Sequence, residues 1–190
     1  MTRIPVEVSA RHLHLSVADL ERLFGVGAKL THYKDLSQPG QFACNEQVDL
    51  IGPKGTIAKV RVLGPTRPES QVEISITDAR KLGIEPFLRH SGDTKGTPGA
   101  TLRGPKGEVV LERGIIIALR HMHCDLPNAA TLGLKDKDVV SIRVGGPRGL
   151  VLDQVLARVH KDFALSVHVD TDEGNAAALE PGAVGELIKG

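Results

Sequence analysis

A chain of 190 residues with 41% hydrophobic content can bury one large or two small cores. Lys plus Arg number 24 against 23 Asp plus Glu, a net charge of +1 that gives no broad field for nucleic acid or a membrane surface, and one Tyr, four Phe and no Trp leave few platforms for stacking bases. Cys44 and Cys124 stand too far apart for a Cys-x-x-Cys site, and no apolar run approaches the roughly 18 residues of a membrane span, so a soluble intracellular protein is expected.

The chain begins almost directly on a strand-like run, VEV (6–8), and continues into SARHLHLS (9–16). Ser16, with Asp19 three positions on, signals the start of a helix over VADLERLFG. Next comes VDLIGPKGTIAKVRV (48–62), where a Gly-Pro-Lys-Gly turn separates two runs rich in aliphatic and β-branched residues. Proline presets φ and glycine tolerates positive φ, so such turns close antiparallel pairs. The same form returns in ATLRGPKGEVVLERG (100–114) and VVSIRVGGPRGLVLDQVLARV (139–159). A strand is read at QVEIS and a second helix after Thr77, and HSGDTKGTPG (90–99) reads as a loop. The apolar run GIIIAL leads into ALRHMHCD (118–125), followed by a helix capped by Asp125; the strand SVHV precedes a last helix capped by Thr171 or Asp172. Short strands broken by glycine and proline, with a few short helices, predict a mostly β fold of barrel type.

The strings SARHLHLS and ALRHMHCD lie 109 residues apart (121 − 12), each after an apolar run and before a capped helix. A repeat of this kind predicts two related half-units carrying one His-x-His each. Residues i and i+2 of a strand share a face at about 7 Å between Cα atoms, so His12 with His14, and His121 with His123, can converge on one metal ion while Arg11 and Arg120 face the other way. A catalytic zinc takes three protein ligands and keeps one position open. His168 is assigned as the third ligand beside His121 and His123. For the other pair the candidate is Glu73, which alternates with Val72 and Ile74, although charged strand residues usually face solvent. His32, His90 and His160 lack a paired context and are read as surface or loop residues. The run from His121 to Leu126 begins like the His-x-His-x-Asp-His of binuclear hydrolases, but Leu126 stands where the last histidine belongs; the barrel amidohydrolases need about 250 residues, more than this chain has.

The strings SARHLHLS, LGPTRPESQVEIS, LRHMHCD and VHVDTDEGNAA closely resemble the PduL-type phosphate propanoyltransferases, the phosphotransacylases of microcompartment metabolism, over the chain from about Pro5 to about Leu179. The resemblance implies two tandem-related β-barrel domains capped by short helices with the active site between them: residues 1–10 plus 119–190 in one, and 11–118 in the other. It implies reversible transfer of propanoyl, and often acetyl, between coenzyme A and inorganic phosphate at a two-zinc site. The implied metal ligands are His12, His14 and Glu73 for one ion and His121, His123 and His168 for the other. Phosphate falls to Arg67, and coenzyme A contacts to Ser9, Lys34, Arg61, Leu63 and Asn175. A homodimer is implied as well. Relatives inside microcompartments carry an amphipathic targeting helix before the first strand; none precedes it here, so a cytoplasmic protein is expected, with the microcompartment lumen as the alternative. Two other readings stay open: a metal-dependent acyl-CoA thioester hydrolase, and a noncatalytic module stapled by zinc. Cys124 offers a covalent acyl-enzyme route, against which stands its position next to His123, on the opposite face of the strand.

Overall fold

The computed structural model describes residues 2–188. In chain order its elements are β1 (Arg3–Val8), β2 (His12–His14), α1 (Val17–Phe24), β3 (His32–Asp35), β4 (Phe42–Ile51), β5 (Thr56–Gly64), β6 (Gln71–Glu73), α2 (Ile76–Leu82), β7 (Leu88–Arg89), β8 (Ala100–Arg103), β9 (Glu108–Leu111), β10 (Ile115–Ala118), β11 (His121–Cys124), α3 (Leu126–Leu132), β12 (Val139–Val144), β13 (Leu150–Val159), β14 (Ser166–Val169), α4 (Thr171–Ala177) and β15 (Val184–Ile188). The chain is mostly β with four short helices among the described residues, as its glycine- and proline-broken strands predict.

The three Gly-Pro-Lys/Arg-Gly segments form antiparallel hairpins: β4 with β5, β8 with β9, and β12 with β13. Their tips close through backbone bonds, from Gly52 N–H to Gly55 C=O at 2.9 Å and from Gly104 N–H to Gly107 C=O at 2.9 Å. These two tips dock on helix ends, Lys54 N–H donating to Leu82 C=O and Lys106 N–H to Leu23 C=O. Only glycine fits so close, because a Cβ on Gly52 would lie 2.4 Å from the Leu82 carbonyl oxygen and one on Gly104 2.5 Å from that of Leu23.

The chain divides into two compact units. One comprises the N-terminal segment up to Ser9, Ser37–Pro39, and the chain from Leu119 onward. It is a closed barrel in the order β1-β14-β11-β13-β12-β15. Alternation fills its interior: Ile4 and Val6 of β1, Met122 and Cys124 of β11, Ile142 and Val144 of β12 and Val167 of β14 are all buried in one cluster. The other unit, Ala10–Leu36 with Gly40–Ala118, is a sheet in the order β7-β10-β6-β2-β5-β4-β8-β9 with β3 on β4, curled into a half-barrel. Its core gathers Leu13 and Leu15, the inward face of α1 (Leu20, Leu23), Val48, Leu50, Val60, Val62, Val72 and Ile115.

Strand register repeats between the units. In one, β2 runs parallel to β5 and antiparallel to β6, with His12 opposite Glu73. In the other, β11 runs parallel to β13 and antiparallel to β14, with His121 opposite His168. The strand before each His-x-His is not in that motif's own unit. Strand β1 pairs parallel with β14, Glu7 opposite His168, and β10 pairs parallel with β6, Ile116 opposite Glu73.

Candidate metal centre

His12 and His14 share a face of β2, their ring centroids 5.3 Å apart and planes at 88°; His121 and His123 of β11 repeat this at 4.8 Å and 88°. The antiparallel neighbour completes each group: ligand-capable atoms of His12, His14 and Glu73 all lie within 4.8 Å of one another, and so do those of His121, His123 and His168. Glu73 is only 8% exposed, so the usual outward course of a charged strand residue does not hold here. The backbone sets each first ring in the same way, His12 Nδ1 lying 2.9 Å from Ala10 C=O and His121 Nδ1 2.8 Å from Leu119 C=O. A carbonyl only accepts, so Nδ1 carries the proton and Nε2 keeps its lone pair in both rings.

Among the described residues, the buried side-chain nitrogens and oxygens without a hydrogen-bond partner are Nδ1 of His14 and Nδ1 of His123. A buried polar atom left unpaired costs about 1–3 kcal/mol, and a cation held by the neighbouring donors removes that cost. Burial pushes the pKa of His14 down to about 3, with the charges of Arg67 and His12 acting in the same direction. Burial likewise pushes His123 to about 2, aided by His121, His168 and Arg158. Both imidazoles are therefore neutral at pH 7, the state in which they donate a lone pair. The donor sets fit a divalent transition metal, with nitrogen and carboxylate in one group and three nitrogens in the other.

Further side chains hold the third member of each group. Glu73 Oε1 accepts from Gln71 Nε2 at 2.7 Å and from Ser91 Oγ at 2.7 Å, while Oε2 lies 3.6 Å from His12 Nε2. His168 Nε2 is 2.9 Å from Ser166 Oγ and 3.4 Å from Glu7 Oε2. Sequence reasoning passed over all four of these partners. Gln71 and Ser166 each sit two residues before a third ligand, where the strand period places them on its face; Ser91 lies in the stretch read as a loop, and nothing local marks it.

The strand ends share a pattern. Each of the four helices is capped two residues past the last candidate ligand of the preceding strand: Ser16 after His14, Ser75 after Glu73, Asp125 after His123 and Asp170 after His168. The caps expected at Thr77 and at Thr171 or Asp172 thus fall earlier, because the extended backbone of Ser75 and Asp170 lets their oxygens accept from Asp78 N–H and Glu173 N–H. The arginine before each His-x-His reaches the first-turn acid whose N–H that cap accepts from, Arg11 Nε to Asp78 at 2.7 Å and Arg120 Nε to Glu173 at 2.6 Å. Both arginines point away from the histidines, as alternation requires.

The remaining candidates are distributed between the units. Arg67 Nη1 lies 3.4 Å from Ser91 Oγ. Half-buried Arg61 lies over the Tyr33 ring at 4.5 Å and donates to Cys44 C=O, with Leu63 further along β5 and exposed Lys34 on β3. In the barrel unit, Ser9 N–H donates to Val169 C=O at 2.8 Å and Asn175 lies on the exposed side of α4. His32, His90 and His160 are exposed. Cys124 is fully buried in the barrel core, and burial raises its thiol pKa to about 11, so it is no ready nucleophile.

Two buried, convergent donor groups on repeated strands define a candidate metalloenzyme of β-barrel type. A profile of the phosphate propanoyltransferase family matches residues 5–180. The chain is 57% identical over 187 residues to the phosphate propanoyltransferase of Thermotoga maritima, covering 98% of this chain and 89% of that protein. It is 50% identical over 186 residues to that of Alkaliphilus metalliredigens (98% and 88%) and 44% identical over 188 residues to that of Listeria monocytogenes (99% and 88%). The chain belongs to the phosphate propanoyltransferase family, and it is an acyltransferase.

Proposed function

We propose that the chain moves a short acyl group, propanoyl with acetyl as the alternative, reversibly between coenzyme A and inorganic phosphate, with one zinc ion held by His12, His14 and Glu73 and a second by His121, His123 and His168. The metal half rests on one observation: each group contains a buried imidazole nitrogen with no protein partner among convergent donors. Three protein ligands leave a coordination position open, as catalytic zinc sites do and structural ones do not. When bound, the ions supply Lewis acidity toward a thioester carbonyl or its sulfur. Membership of the family supports the acyl half.

Inorganic phosphate is already an anion near neutral pH, so the nucleophile needs positioning rather than deprotonation. Arg67 suits that task, because its planar fork matches phosphate oxygens in pairs. Its charge acts on His14 in the same unit, and its hydrogen bond to Ser91 sets its direction. Holding two reactants in register can lower the barrier by about 7–11 kcal/mol. Lys34 and Arg61 offer cations for the phosphates of coenzyme A, and Ser9, Leu63 and Asn175 complete its proposed contacts. Neutral His14 and His123 serve as lone-pair donors and not as general acids. The working form proposed is a cytoplasmic homodimer, with a microcompartment lumen as the alternative location.

Run in reverse, purified protein given propanoyl phosphate and coenzyme A should form a thioester, followed by its absorbance. No thioester from either propanoyl or acetyl phosphate would refute the proposed reaction.

A further inference from the structure

One loop segment has hydrogen bonds that neither the barrel fold nor the proposed reaction explains. Between β3 and β4 the chain leaves the half-barrel unit, contributes Ser37–Pro39 to the barrel unit, and returns at Gly40. Within that segment Gln38 is 3% exposed although Ser37 and Pro39 are exposed. Its amide is used at both ends: Nε2 donates to Ala164 C=O at 2.9 Å and to Ser166 Oγ at 2.9 Å, and Oε1 accepts from Ala164 N–H at 3.2 Å. Ser37 Oγ donates to Glu7 Oε2 at 2.5 Å. Glu7 and Ser166, the two groups so held, are the ones that flank Nε2 of His168.

We propose that Ser37 and Gln38 form a positioning clamp that holds Glu7 and Ser166 around Nε2 of His168, fixing the proton on that nitrogen and leaving the Nδ1 lone pair for a cation. The inference rests on the cation reading of the three-histidine group above and extends it to residues that touch no ligand themselves. A carboxylate is an acceptor only, so the ring nitrogen facing Glu7 carries the proton. The Ser166 oxygen, already accepting from Gln38, has a second lone pair for the same N–H. A neutral imidazole protonated at one nitrogen has its lone pair on the other. Outer partners of this kind set the tautomer and orientation of a metal-binding histidine, and losing one weakens metal binding by about 10–100-fold. The half-barrel group has the corresponding arrangement, with Gln71 and Ser91 on Glu73.

The test uses the full chain, cobalt(II) titration read by its visible absorption, and long-range nitrogen-15 spectra of the metal-free protein. Wild type should take up two cobalt equivalents, and His168→Ala should lose tight binding of one. Gln38→Ala and Ser166→Ala should weaken that same equivalent by about 10–100-fold and leave the other unchanged. Glu7→Gln removes only a half-exposed carboxylate and so serves if the buried variants fail to fold. It should shift His168 from the Nε2–H form toward a mixture of tautomers. If His168→Ala binds both equivalents as tightly as wild type, the cation reading itself fails. If His168→Ala loses one while Gln38→Ala and Ser166→Ala bind both normally, or if His168 carries its proton on Nδ1 in wild type, the clamp alone is wrong.

Discussion

The side chains that matter most are two imidazoles whose surroundings suit a cation better than a proton. His14 and His123, with pKa values near 3 and 2 against an ordinary 6.5, stay neutral in the folded chain well below the pH at which the unfolded chain protonates them. The sign follows from linkage: the unfolded state binds more protons below about 6.5, so the metal-free protein should keep full stability above that pH and lose it progressively as pH falls toward the depressed values. Urea midpoints of the metal-free protein measured from neutral pH down to about pH 5 should decline; His14→Gln should flatten the decline, and an unchanged midpoint over that range would contradict the assignment. His123→Ala should remove one equivalent of bound metal and lower turnover by orders of magnitude, checked by metal analysis alongside steady-state rates. Cys124→Ala should keep turnover within about twofold of wild type, because its thiol is buried in the core and protonated. A burst of acyl-enzyme that vanishes in that variant would restore the covalent route.

At the scale of elements, the same strand–helix junction is used four times, and it explains what the sequence made legible. The His-x-His pairs could be placed on one face because the strand period is local, and the Gly-Pro-Lys/Arg-Gly turns specify hairpins by themselves. Glu73 and His168 could be named as third members from the donor types such a group needs and from the family resemblance. Their standing opposite His12 and His121 depends on antiparallel register between strands distant in sequence, and no local pattern carries that. The Ser91 and Ser37–Gln38 contributions were illegible for a related reason, since loops choose partners by tertiary course rather than by period. The caps at Ser75 and Asp170 came one or two residues before those expected because the candidate oxygens stood within two residues of each other and only backbone direction separated them. The arginine–acid pair at the two junctions of this kind has a measurable consequence. Burial raises the pKa of Glu173 and Arg120 opposes that rise, so Arg120→Ala leaves a half-buried carboxylate with no cation beside it and only the Asp170 N–H on Oε2. Chemical denaturation should show a loss of about 1–3 kcal/mol. A change within experimental error would mean the pair contributes nothing to holding α4.

For the whole molecule, the repeat at 109 residues (121 − 12) sets out two units with the same His-x-His junctions and different third members in the donor group, a carboxylate in one and an imidazole in the other. If each group held an ion, the carboxylate would add negative charge beside one of them and the three-histidine group would add none, so the two would differ as Lewis acids. None of the helices among the described residues is long and apolar enough to cross a membrane. Family membership fixes acyl transfer as the class of chemistry, and the two donor clusters are the grounds on which metal is proposed for it. The most direct measurement is thiol release from propanoyl-CoA by purified protein, with and without inorganic phosphate, before chelation, after it, and after zinc is restored. Release that requires both phosphate and metal, and returns with zinc, is the predicted result; release that continues without phosphate, or is indifferent to chelation, would contradict it.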